Sequence, residues 1–141
     1  MANRSFSLST WEPQLRALLR IAVAFLFLQH ATAKLFGVPH VEMFDGLQLM
    51  SLLGVAGMIE LVGSTLVLIG LLTRPAAFVL SGEMAVAYFM SHASSWHVLS
   101  PLLNHGESAV LFCFVFLYLA AAGAGAWSVD GARGTTSTGP V

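Results

Sequence analysis

The chain reads as an all-α integral membrane protein, a bundle of four transmembrane helices with both termini in the cytoplasm. Three observations carry that reading. The 141 residues are 57% hydrophobic and only 9% charged, whereas a water-soluble domain normally carries about a quarter charged residues. Four apolar segments, at about 14–36, 49–72, 76–93 and 106–127, each approach the roughly 20 helical residues needed to cross a hydrocarbon core. Runs of this length exclude barrel strands, the other backbone that satisfies itself in lipid. The basic residues then orient the bundle. Arg4, Arg16 and Arg20 precede or open the first segment, Arg74 lies between the second and third, and Arg133 follows the fourth, while Lys34 stands alone on the opposite side.

The first helix is expected to be capped by Thr10, with Pro13 in its first turn, Trp11 at the membrane interface, and Gly37 and Pro39 as its stop. A rival reading takes "IAVAFLFL" as a signal-peptide core and "ATA" (Ala31 to Ala33) as its cleavage motif, but the leading region is long and contains Glu12 and Pro13. The second helix, "LLGVAGMIELVGSTLVLIGLL", carries Gly57, Gly63 and Gly70, small residues that allow close helix packing. "TRPAA" (Thr73 to Ala77) reads as a very short turn, making the second and third helices antiparallel neighbours. The loop from Ser91 to Glu107 is longer and broken by Pro101 and Gly106. One domain, residues 1–130, accounts for the length; the small, polar stretch 131–141 reads as a disordered tail.

Composition also removes function classes. A net charge of −1 with scattered basic residues gives no nucleic-acid surface. The single Cys113 excludes an intrachain disulfide and a CxxC redox pair. None of the seven acidic residues begins the Glu-x-x-His pattern of a di-iron bundle, and H-E-x-x-H is absent, so no metal site is expected. A haem between His30 and His92 or His105 has no supporting motif.

What remains is a set of polar residues inside apolar helices. Arg16, Arg20, Val23, Phe27, His30 and Lys34 follow a 4-3-4-3-4 spacing that places every charge of the first helix after its opening turn on one stripe. Glu60 lies on a similar stripe of small residues in the second helix and is expected to face the bundle interior. Glu83 lies on one in the third. Helical rise puts His30 about 9 Å and Glu60 about 16 Å below the outer surface, with Glu83 nearer the cytoplasmic face. The candidate cluster is therefore His30, Lys34, Glu60, Glu83 and Glu107, with Gln29, His92, Asn104 and His105 as secondary members. An ionisable residue inside a membrane segment is a functional candidate by default. The structural alternative pairs Lys34 with Glu107 and His30 with Glu60 as glue between helices. His97, in a loop, reads as solvated.

Taken together, "QHATAKLFG", "GVAGMIELVGSTLVLIGLLTRPAA", "SGEMAVAYFMSHA", "NHGE" and "GAGAWSVD" resemble the DoxX family of small bacterial membrane proteins from about Leu18 to Asp130. The family pattern highlights His30, Lys34, Gly37, Glu60, Gly63, Arg74, Glu83, Met84, Ala87, Asn104, Gly106 and Glu107. Two positions depart from it: His105 stands where the family usually has Gly, and Ala124 or Ala126 where it usually has Pro. The resemblance implies a four-helix protein of the bacterial inner membrane, linked through relatives to quinone-reducing enzymes and oxidative-stress complexes.

Three functions follow as expectations. The first is a quinone-linked redox subunit in which His30, Lys34 and Glu60 bind and protonate a quinone; no redox centre is identifiable in the chain, so electrons come from a protein partner. The second is a non-enzymatic scaffold or small-molecule carrier, in which the cluster is structural. The third, a proton pathway through Glu60 and Glu83, has little room in four short helices. Whether the protein is an enzyme, and whether it is a monomer or a homo-oligomer in the bilayer, the residues leave open.

Overall fold

The computed structural model describes residues 8–93 and 97–135. Four long helices form the body: α1 (Glu12–Phe36), α2 (Leu52–Ile69), α3 (Thr73–Ala87) and α5 (Glu107–Ala122). A short α4 (Pro101–Asn104) precedes α5, and α6 (Val129–Thr135) follows it. Among the described residues, two stretches are long and apolar enough to cross a membrane, Leu8–Phe36 and Leu52–Ile69; α5 is apolar but shorter.

The ends of the helices are set by local chemistry. A 3₁₀ turn (Leu8–Trp11) leads into α1, whose N-cap is Trp11 without a side-chain hydrogen bond. The expected Thr10 cap is therefore not made, because that turn carries Thr10 one residue too early. Gly37 stops α1 at φ +66°, donating to Ala33 O, while Val38 N–H donates to Thr32 O. Helix α2 starts later than 49 because Ser51 caps it, its hydroxyl accepting from Gly54 N–H at 3.1 Å. It ends before 72 because Gly70 turns left-handed at φ +71°. Gly70 is thus a helix stop, and it is also closely packed, since a Cβ there would fall 2.4 Å from Ser128 Cβ. The reversal is made by Gly70, Leu71 and Leu72, and "TRPAA" is the first turn of α3 instead of the connection. Helix α5 stops at Ala122 instead of 127, where Gly123 (φ +87°) and Gly125 (φ +72°) turn the chain back. The first part of the expected tail, through Thr135, is helical in α6; residues 136–141, like Arg4, lie outside the described residues.

Helix α1 packs on α2, α2 on α3 and α3 on α5. Helix α5 returns to α1 through Phe27, whose ring lies 5.0 Å from those of Phe112 and Phe116. Phe27, Val67, Leu80, Phe116 and Leu119 form the core, with Ala24 and Ala77 letting the backbones approach. The outside is apolar as well: Phe25, Leu26, Val62, Phe78, Val86, Leu111 and Phe114 are all exposed. So large an apolar surface marks contact with lipid or protein rather than water.

One end of the bundle is closed by arginines. Arg20 is fully buried. Its Nε donates to Ala124 O at 2.8 Å, its Nη1 to Val67 O and Leu68 O, and its Nη2 to Ala126 O and Trp127 O. One guanidinium thereby takes up carbonyls freed at the end of α2 and all along the returning segment. Arg16 donates to Ala122 O and pairs with Glu12 at 2.7 Å, and Arg74 donates to Ala120 O and Ala121 O. These side chains neutralise the negative end of the α5 dipole.

Asp130 completes this end. Its Oδ1 accepts from Leu72 N–H and its Oδ2 from Thr73 N–H, each at 2.9 Å, and its own N–H donates to Gly70 O at 2.8 Å. It caps α3 from across the chain and holds Leu72 at φ +50°. Partial burial pushes its carboxyl up, but the Thr73 and Leu72 N–H groups and the Arg133 charge outweigh this and hold it below its ordinary value. A group depressed in the folded state adds stability above the unfolded carboxylate range, near pH 4, that is lost as pH falls through its folded value. Asp130→Asn should accordingly cost about 1 kcal/mol at pH 7. The melting-temperature gap from wild type in detergent should close below about pH 4; a gap constant with pH would contradict this cap.

Candidate functional site

The polar side chains gather toward the other end of the bundle. Lys34 Nζ lies 2.5 Å from Glu60 Oε1, with side chains 10% and 1% exposed. Both expected pairings are therefore replaced. Lys34 meets Glu60 rather than Glu107, and His30 has no ion pair with Glu60. Side-chain direction explains the exchange. A helical side chain leans toward its own N-terminus. In antiparallel α1 and α2, Lys34 thus leans into the bundle while Glu60 leans out toward it. Gly57 lets the backbones close, since a Cβ there would lie 3.2 Å from Lys34 Cβ and from Leu35 Cδ2.

Glu83 reaches the same place from α3. It lines a cavity of about 370 Å³ together with Lys34 and Glu60, so it sits level with Glu60 rather than nearer the arginine end. Leu53, Ala56, Met84, Ala87, Met90 and Ser91 also face this cavity. Both Glu83 carboxyl oxygens, and Oε2 of Glu60, are buried without a hydrogen-bond partner. Buried polar atoms are nearly always paired, because an unpaired one forfeits its hydration. Glu60 and Glu83 thus line this space while three of their carboxyl oxygens lie buried without a partner.

A second cavity, of about 770 Å³, lies on the other side of Lys34, lined by Gln29, His30, Phe44, His92 and Phe112 among others. His30 is exposed at its edge, its ring 5.9 Å from that of Phe27 and 5.7 Å edge-on to Phe112. Phe44, from the loop after α1, places its ring 5.7 Å from Lys34 Nζ, a cation–π contact over the ammonium.

The remaining candidates lie apart. Glu107 is exposed in the first turn of α5, where a carboxylate complements the helix dipole. His105 is exposed and left-handed (φ +58°) at the end of α4. Asn104 organises the loop: its Nδ2 donates to Tyr88 Oη at 3.1 Å and His97 O at 3.0 Å, and its Oδ1 accepts from Gly106 N–H at 2.9 Å. Its carbonyl lies 3.0 Å from His92 Nδ1. None of these residues lines the carboxyl cavity, and of them His92 alone lines the neighbouring one.

Two features escaped sequence reasoning. One is the π turn Tyr88–His92 at the end of α3, where Ala93 N–H donates back to Tyr88 O. Such turns re-aim side chains at functional sites, and this one brings Ser91 to both cavities. The other is the loop 38–45, which covers Lys34 with Phe44. The wide residue spacing between Tyr88 and Asn104 gave no periodic signal, and a loop carries none. Among the described residues, no three His, Cys, Asp or Glu side chains come together as a metal site.

Residues 15–93, which contain His30, Lys34, Glu60 and Glu83, match the family described as DoxX. An uncharacterized protein of Haemophilus influenzae is 45% identical over 127 residues, covering 88% of this chain and 94% of its own length. No solved structure matches.

Proposed function

The chain belongs to the DoxX family, and from that premise we propose that it is a multi-pass protein of the bacterial inner membrane that binds a quinone at Lys34, Glu60 and Glu83. Helices α1, α2, α3 with its π turn, and α5 are the four membrane segments, and the arginine end faces the cytoplasm. The observation that carries the binding reading is the 370 Å³ cavity with three buried, unpaired carboxyl oxygens. Its size falls within the range of about 300–1,000 Å³ typical of small-molecule sites, and it combines mostly apolar walls with a few convergent polar groups.

The fit to a quinone head group is chemical. Bound there, a quinone supplies two-electron, two-proton chemistry, with electrons from a protein partner. Lys34 Nζ would donate a hydrogen bond to the head group and supply positive charge there. Glu83 holds and exchanges a proton at its free carboxyl. Glu60 keeps Lys34 aimed, and His30, at the edge of the neighbouring cavity, exchanges protons with the membrane surface. The apolar walls exclude water.

A second reading has its own support. Lys34 and Glu60 are already paired, as in a scaffold or carrier held together by buried glue. Titrating the detergent-purified protein with a ubiquinone analogue separates the two. On the binding reading, Glu60→Gln and Glu83→Leu each weaken binding by about ten-fold, or 1.4 kcal/mol. Binding that survives both substitutions leaves the scaffold reading.

A further inference from the structure

Helices α2 and α3 touch at Gly63, where an added Cβ would fall 2.7 Å from Leu80 Cδ2. On the face turned away from α1, this contact is the floor of a furrow. Toward the arginine end the furrow encloses about 510 Å³ between Met58, Val62, Leu66 and Pro75, with no ionisable residue in its walls. Toward the lysine end it continues into the 370 Å³ carboxyl cavity, for Val55, Ile59 and Val79 wall both. The two adjoin along these shared walls as one trough in outline, apolar along one half and lined by Glu60 and Glu83 in the other. From Pro75 to Met90 it runs about 22 Å at the helical rise.

That change of character along a single trough selects its occupant. A free head group fills only the carboxyl half and leaves the apolar half to unrelated lipid. A transmembrane helix, about 10 Å across with its side chains, cannot reach a floor set by two helices in contact at Gly63. It would also lay apolar side chains against the unpaired oxygens of Glu60 and Glu83. One hydrocarbon chain ending in a hydrogen-bonding head satisfies both halves. We propose that the ligand is a single-chain amphiphile whose head sits at Lys34, Glu60 and Glu83 and whose tail lies in the α2–α3 furrow, its tip toward Pro75. The inference rests on the quinone reading and narrows it to tailed quinone lipids entering sideways from the bilayer.

The test compares a ubiquinone analogue carrying a ten-carbon tail with the same head group lacking a tail, both titrated onto the full chain in mild detergent. Wild type should prefer the tailed compound by about ten-fold or more, because the furrow buries methylenes that the tailless compound lacks. Met58→Trp and Val62→Trp fill the furrow from exposed positions and should abolish that preference while the tailless compound binds as before, which also reports that the variants are folded. A diazirine at the tail tip should label peptides containing Leu66 or Pro75. A tail preference that persists in both variants overturns the inference and leaves the head-group site standing. So does dissociation of a cross-linkable oligomer by Val62→Trp with the preference intact, which would make the furrow a contact between copies. Labelling confined to Met90 and Ser91 overturns the tail's direction. Failure of wild type to bind either compound removes the quinone reading and the tail with it.

Discussion

Arg20→Met should cost about 4 kcal/mol or more, enough to leave the protein aggregated or degraded when extracted in detergent. Methionine keeps the unbranched apolar stem of arginine but is shorter and offers no donor. The five carbonyls now served by one guanidinium, Val67, Leu68, Ala124, Ala126 and Trp127, would lose that partner at once. Each buried acceptor left unsatisfied costs about 1–3 kcal/mol, and partial rehydration at the membrane surface recovers some of the total. Arg20→Lys should recover only part of the loss, because a single ammonium cannot span both the α2 end and the returning segment. Size-exclusion profiles and melting temperatures across wild type, Lys and Met order the three. A stable Met variant would show that water, rather than Arg20, can satisfy those carbonyls.

The second large effect is expected at the Lys34–Glu60 pair. Lys34→Met leaves Glu60 buried beside Glu83 with no cation, and breaking one partner of a buried pair costs about 3–5 kcal/mol. Glu60→Gln should cost less, since the amide oxygen still accepts from Lys34. The double variant Lys34→Met/Glu60→Leu removes both charges and should regain most of the lost stability, giving a coupling energy of about 2 kcal/mol or more in a double-mutant cycle. Function then separates what stability cannot. If the pair is glue alone, the stable double variant complements any phenotype of a deletion strain at normal protein levels. If Lys34 serves a ligand, the double variant is folded and inactive.

Much of the polar stripe of α1 was legible because helical periodicity is local: Arg20, Val23 and Phe27 are buried and Lys34 nearly so, whereas His30, on the same spacing, is exposed at a cavity edge. Gly37 as a stop was legible for the same reason, since its backbone conformation follows from its own lack of a side chain. Partnerships were not. Whether Lys34 meets Glu60 or Glu107 depends on which helix lies alongside and on the axial offset between them, and neither is written in the residues near Lys34. The role of Arg20 was hidden differently. Read along the chain, it is one of several basic residues that orient the protein, and the charge rule needs no partner. Its five acceptors are backbone carbonyls, which every residue carries, so no side-chain pattern announces them. Asp130 was overlooked for a like reason: it caps α3 from 58 residues away, beyond the reach of any capping motif read locally.

The separation between Arg20 and its carbonyl partners also orders events during synthesis. Val67 and Leu68 are available as soon as α2 follows α1 out of the ribosome, but Ala124, Ala126 and Trp127 come more than 100 residues after the arginine. Until then the nascent protein carries a half-served cation at one end of its first helices, and α3 lacks its Asp130 cap. A chain cut short before Ala124 therefore leaves Arg20 with only the Val67 and Leu68 carbonyls.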